Sequence, residues 1–558
     1  MSAPLRELER IHRSYGPGRA EPKAALLDQL ASRRLPSASA VRRFHDVLCF
    51  LRAYPDSAPL LARVERLLAS FARRPDLRRH ATALQDSGIA GTPTFYSFFH
   101  PTAQWLAQRW PKQLTVSWPD VERADRLEDI LHLLALYAET PGLDEAPLSP
   151  REWVRRMKGA NETDGTFLLR RMAALRADVW VRESIFEDLG IMFKLSAGLD
   201  TPSRTHAHLP RGRNHHVSGP LSGGRPDLDR VLRQRPPGVT SVPPAVARRM
   251  IDLAREAMVS RGRDLDAFAY ASPDDVRVVD AGVGLEFGVI GMIPERRLLL
   301  ESVYGYLTLR NGVPTGYGVV SGLFQSAEVA YNVFDPFRGV EAAHVYGQVL
   351  AAFRHLLGCT AFVIYPYQLG GDGNAEGLRS GAWWFYQKLG FRPRAPEAVT
   401  LMREELARMR RRPAHRSSLA TLRRLAAHNL YHHIGRPRED VMGMLPFANV
   451  GLAVTDLLAR RFGSDRGAGN RILEREMASI LGQGRRRGWT AGERLWFSRW
   501  APVVAALPGV ADWPLADRKA LGAVIRAKGG RRESDFVRAF DGHRRLRRAI
   551  RALATTVG

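Results

Sequence analysis

Phe385-Tyr386-Gln387-Lys388-Leu389-Gly390-Phe391 closes a helix-like run that begins near Glu376. Upstream lie two apolar, β-prone runs, 329–334 and 361–366. Between them stand Asp335-Pro336-Phe337-Arg338-Gly339 and an apolar pattern of helical period over 340–357. The order is therefore strand, basic turn, helix, strand, helix, Leu-Gly-Phe. Further upstream, Arg310-Asn311-Gly312-Val313-Pro314 separates the runs 304–309 and 315–323. Asn-Gly between two such runs predicts a hairpin. With 328–334 as the next strand, three consecutive strands lead into Arg338 and the helix. The expected class is α+β: a mixed sheet with helices at the centre and mostly α-helical regions on either side.

A chain of 558 residues exceeds one ordinary core, which predicts two to four domains. The hydrophobic share of 45% and charged share of 25% are those of a soluble globular protein. No run of 18 apolar residues predicts a membrane span, and the first residues carry no apolar signal core. A reducing cytoplasm is expected, with Cys49 and Cys359, each in an apolar run, as buried free thiols. No metal site is expected. The net charge of +26 points to an anionic partner: nucleic acid, acidic lipid or a polyphosphate cofactor. Only seven of the 83 basic residues are lysine. The arginine and alanine excess of a GC-rich, bacterial-type genome produces the same charge with no such partner.

Residues 1–195 read as a helical region of unassigned role. Val41, Phe44, Val47, Leu48 and Leu51 share one helical face behind a cap at Ser37 or Ser39. Similar patterns occupy 58–71, 120–137, 166–175 and 178–194, and Ser149-Pro150-Arg151-Glu152 is a helix start. A Gly-rich turn at 88–93 precedes Trp105, Trp110 and Trp118, which suit a packed corner of this region or the lining of a pocket. Residues 196–243, rich in Gly, Pro, Ser and Arg, read as a solvated linker. Their histidines 206, 208, 215 and 216 have no Cys or acidic residue at metal-ligand spacing. The central domain is expected over 244–400, entered by a helix at 244–259. Residues 401–558 form a basic helical region with patterns at 418–431, 450–462, 470–481, 491–507, 515–526 and 533–554. The last carries Arg544, Arg545, Arg547, Arg548 and Arg551, spread around a helix so that they suit a phosphate backbone or a solvated surface.

The order around 300–394, about a fifth of the chain, resembles the core of the GNAT superfamily of acyl-CoA N-acyltransferases. The resemblance implies a domain that moves an acyl group from acetyl-CoA or another acyl-CoA, or an acyl carrier, to an amine of a small or macromolecular acceptor. The family's phosphate turn, Gln/Arg-x-x-Gly-x-Gly/Ala, corresponds to Arg338-Gly339-Val340-Glu341-Ala342-Ala343, where Glu341 replaces a glycine. A helix start offers N–H donors and a positive dipole end to pyrophosphate. By the same resemblance Asn332, Val333 and Phe334 supply a splayed strand edge for the pantetheine arm. Tyr386 would protonate the departing thiolate, since a phenol stays protonated near neutral pH. Arg379 stands where the family often has asparagine and could meet phosphate or an acidic substrate. Glu328, Asp335 and His344 are the candidates for a general base. Two alternatives accompany this reading. One is a catalytically degenerate GNAT-like scaffold within a basic helical adaptor for nucleic acid or protein. The other rests on Val278-Val279-Asp280-Ala281-Gly282-Val283-Gly284, which looks like the first motif of Rossmann-type methyltransferases, with Glu301 as the ribose acid. Gly288, Gly291 and Pro294 make 285–297 poor helix material, so 276–292 is expected to be extended chain and turn.

Overall fold

The computed structural model describes residues 3–210, 212–484 and 486–556 and has a mixed α/β architecture. Its centre is a mixed sheet of β1 (Gly238–Ser241), β2 (Ala271–Gly282), β3 (Leu285–Met292), β4 (Ser302–Arg310), β5 (Val313–Leu323), β6 (Ser326–Val329), β7 (Asn332–Val333), β8 (Ala361–Ile364), β9 (Arg392–Pro393) and β10 (Leu430–His433). The spatial order is β9-β10-β8-β6-β5-β4-β3-β2-β1, with β7 continuing β6 along β5. Every pairing is antiparallel except that of β6 with β8. No helix among the described residues is long and apolar enough to cross a membrane.

The β4–β5 hairpin turns on two residues in the left-handed region, Asn311 (φ 49°) and Gly312 (φ 77°), as a two-residue turn of this hand requires. Asn311 also anchors the turn. Its amide nitrogen donates to the carbonyls of Ala53 (2.9 Å) and His215 (3.0 Å). Its amide oxygen accepts from the His215 N–H (2.8 Å).

Alternation along the strands gives each sheet face its own core. Tyr304, Tyr306, Val320 and Val329 share a core with Val349, Leu350 and Phe353 of the helix Ala342–Leu357. Leu307 and Leu309 belong to a second core with Met250 and Ala254 of the helix Pro244–Val259 and Val47, Leu48 and Leu51 of the helix Ala38–Ala53. We call these helices α1 (Ala38–Ala53), α2 (Pro244–Val259) and α3 (Ala342–Leu357). The C-terminal helices add Trp500, Phe536 and Phe540 to the first core. Trp105 and Trp110 pack edge to face, 5.2 Å apart, in a third core built from 98–195. Both cysteines are buried free thiols.

Five expectations change. Residues 196–243 are not a solvated linker: Thr201, Ser203, Arg204 and Thr205 are buried, Leu228–Arg233 is a helix against α3, and Gly238–Ser241 is an edge strand. The sheet thus begins before residue 244 and ends at His433, beyond the expected 244–400 limits. Residues 418–431 split into the helix Leu419–Ala426 and β10, and 178–194 yields the helix Val179–Leu189 before the short strand Phe193–Leu195. The predicted helix over 533–554 breaks at His543 into Glu533–Gly542 and Arg544–Thr555.

The stretch Asp280–Gly284 is a hairpin connection between antiparallel β2 and β3. A Rossmann site needs a helix N-terminus after that strand. None follows here, so the methyltransferase geometry is missing at that motif.

Candidate functional site

β6 and β7 run along β5 in one register, from Ser326 opposite Leu323 to Val333 opposite Gly316. β8 accompanies them only from Ser326 to Glu328. It then leaves the sheet through the short helix Pro366–Leu369. The two parallel strands therefore part beyond Glu328. The N–H groups of Ala330 and Phe334 donate to Val319 (2.9 Å) and Thr315 (3.0 Å) on β5. By the alternation of an antiparallel ladder, the N–H groups of Tyr331 and Val333 point the other way, into the gap. Of the expected trio, Val333 presents its N–H there, whereas Asn332 and Phe334 face β5. Tyr331, which the sequence reading passed over, supplies the second donor.

A cavity of about 630 Å³ occupies this gap. It brings together Asn332, Val333, Phe334, Asp335, Arg338, Ala342, Arg379 and Tyr386. The expected helix from Glu376 is two short ones, α4 (Ala375–Ser380) and α5 (Ala382–Lys388), meeting at Gly381. That break lets α5 aim Tyr386 at the cavity. Tyr386 is 3% exposed, edge-on to Tyr346 (5.5 Å) and Phe391 (6.0 Å). Its hydroxyl has no hydrogen-bond partner among the described residues. Burial, and then the Glu328 carboxylate, push its phenol pKa upward, so the proton stays on.

Glu328 does not line the cavity. It stands on the same sheet face as Asn332, four residues earlier, opposite Ser321. Among the described residues it has neither a hydrogen bond nor an ion pair. Burial, followed by the nearby Glu301, pushes it up to about 7. Asp335 is in contrast exposed and held by two guanidinium groups, Arg338 (3.1 Å) and Arg42 (3.5 Å). Arg338 also binds Glu376 (2.6 Å) across the cavity mouth. His344 lies in the first turn of α3, outside the lining.

The turn before α3 shows where Glu341 goes. Gly339 (φ 75°) and Glu341 (φ 46°) both adopt the left-handed region. The Glu341 carboxylate turns to Arg310 at the hairpin end (3.0 Å), and the two side chains are 8% and 6% exposed. It also accepts from the Ser222 N–H (3.4 Å). Val340 is buried in the second core with Phe334 and Phe337. A second hollow, about 370 Å³, lies over this turn, lined by Gly339, Glu341, Ala342 and Ala343 with Arg225, Gly381 and Lys388.

Several cavity residues escaped the sequence reading. Arg42 comes from α1, Ser87 from the turn 86–91, Arg204 from the supposed linker, and Ser260, Arg261 and Arg263 from the end of α2. The only sequence signal was basic residues beside a helix end, too common to single out. Among the described residues no three His, Cys, Asp or Glu side chains converge as metal ligands. No protein family model, curated protein or solved structure matches the chain.

Proposed function

We propose that the chain is an N-acyltransferase that uses acetyl-CoA or another acyl-CoA, on a GNAT-like core. The observation that carries this reading is the parting of β6–β7 from β8, with two free strand N–H groups and the unpartnered Tyr386 hydroxyl at one cavity. The residues present fit such a donor. Glu341 is turned aside to Arg310, and the first N–H groups of α3 lie under the second hollow beside Arg225 and Lys388. A helix start with cations around it suits phosphate groups. Bound there, the donor would supply a thioester to the gap.

The N–H groups of Tyr331 and Val333 receive the negative charge that grows on the thioester oxygen. Glu328, poised near neutrality but set back from the cavity lining, takes the proton of the attacking amine through a relay and not by direct contact. Tyr386 gives its proton to the thiolate as the C–S bond breaks and the C–N bond forms. Glu328 and Tyr386 thus have separate tasks, one on each side of the parted strands.

Calorimetric titration with acetyl-CoA tests the reading. Saturable binding that weakens in Lys388→Ala is expected, because a phosphate loses a charged partner. A folded protein that takes up no acetyl-CoA or free CoA rejects it.

A further inference from the structure

The cavity has two electrostatically different ends. At the mouth, Arg42 and Arg338 are half exposed and compensated by Asp335 and Glu376. The inner wall carries Arg204, Arg261 and Arg263. Its one ion pair among the described residues is Arg204 with Asp46 (2.7 Å). The Arg204 side chain is 5% exposed, and its Nε has no partner. Among the described residues Arg261 donates to the Ala257 carbonyl (2.7 Å) and the Ser260 hydroxyl (3.3 Å), and its guanidinium carbon sits over the Phe334 ring at 3.6 Å. Arg263 donates to the Tyr317 hydroxyl (2.8 Å) and makes no ion pair among the described residues, with Glu376 and Asp335 acting on it from farther off. Asp86, the remaining acid of the lining, is exposed and accepts from the Phe95 N–H.

Among the described residues these three guanidinium groups have one carboxylate in ion-pair contact, and burying the Arg204 charge on this wall is costly. Burial and the neighbouring charge of Arg204 drag Arg261 down to about 9. The Phe334 ring holds the Arg261 guanidinium from one side, and its Nε and Nη2 make no hydrogen bond among the described residues. That is the geometry that recognises a carboxylate or phosphate by paired hydrogen bonds. Tyr317 and Asn332 place this wall on the sheet face of Glu328, opposite the face of Tyr346, which Tyr386 packs against.

We infer that this inner wall, centred on Arg261 and Arg263, binds an anionic group, a carboxylate or a phosphate, carried by the amine acceptor. The assignment of that anion to the acceptor rests on the acyl-transfer reading; the anion site itself does not. It excludes basic peptides and simple alkylamines as preferred acceptors, since both would meet uncompensated cations.

The test titrates the full chain with inorganic phosphate, with acetate and, separately, with acetyl-CoA, and repeats the set with Arg261→Gln and Arg263→Gln. Saturable binding of phosphate or acetate is expected, weakened about tenfold in either variant, while acetyl-CoA binding is unchanged. The anion that binds more tightly identifies the group. Arg263→Gln stands in if Arg261→Gln melts early. Failure of both anions to bind the wild-type protein overturns the proposal. So does acetyl-CoA binding that falls in step with phosphate, since the arginines would then serve the donor. Phosphate binding through Arg261 without any acetyl-CoA binding removes the donor reading and keeps the anion site.

Discussion

Glu328 is the residue whose chemistry depends most on its surroundings. An ordinary glutamate is fully ionised at pH 7, but this one is half protonated near there because burial and Glu301 oppose its charge. Its pKa is raised in the folded state, so the native protein binds more protons than the unfolded chain between about 4.5 and 7. Stability contributed by this site is therefore lost as pH rises through that window. Glu328→Gln should flatten the loss and stabilise the protein at pH 8 by up to roughly 3 kcal/mol, read from denaturant melts at pH 5 and pH 8. If Glu328 is the base, the wild-type rate should also climb with pH to a plateau above 7, and the variant should be slow and lack that climb. Tyr386→Phe removes only the unpartnered hydroxyl. Turnover should fall on the order of 10²-fold or more with acetyl-CoA affinity intact. An unchanged rate would take Tyr386 out of the mechanism.

The turn 338–343 shows at the scale of an element what was readable and what was not. The order strand, turn, helix, strand and the Asn-Gly hairpin were legible because each depends on near neighbours in sequence. Glu341 replaces the pattern's glycine, and its partner Arg310 lies 31 residues away and is brought to it only by the hairpin. The strand in 430–433 and the packing of 196–243 depend likewise on distant elements, β8 and β9 for the one and α3 and β2 for the other, whereas the break at Gly381 is a left-handed glycine that the sequence itself carried. The ion pair yields a counterintuitive prediction. Glu341→Gly gives the turn the glycine of the phosphate-binding pattern and relieves a left-handed φ worth about 1 kcal/mol. It also leaves Arg310 buried without its partner, a loss of about 3–5 kcal/mol. The second effect is larger, so the variant should be net destabilised in a thermal melt. A higher melting temperature would show that the pair is dispensable.

At the scale of the whole molecule, the candidate site is assembled by parts that are far apart in the chain. Residues 244–400 contain β2 to β9 but not β10, which lies between β8 and β9 and pairs with both. Without β10, β8 keeps a bare edge of unpaired N–H and C=O groups, and β9 has no partner. Without α1, the hairpin loses the Ala53 carbonyl that Asn311 holds, and Leu307 and Leu309 lose much of their cover. Without the C-terminal helices, Tyr304 loses the Ser534 N–H (2.6 Å) and Asp275 the Glu533 N–H (2.9 Å), both buried bonds. Lys528 and Glu533, fully buried and paired at 2.5 Å, add a further tie, because the Lys528 ammonium also donates to the Glu301 carbonyl beside β4 (2.7 Å). Each buried polar group left unsatisfied costs about 1–3 kcal/mol. Several such losses together exceed the net stability of an ordinary domain, about 5–15 kcal/mol. Residues 244–400 produced alone should therefore show no cooperative thermal transition by circular dichroism, whereas the full chain melts sharply. A sharp melt of the isolated segment would mean that the flanks are additions to a self-sufficient core and not components of it.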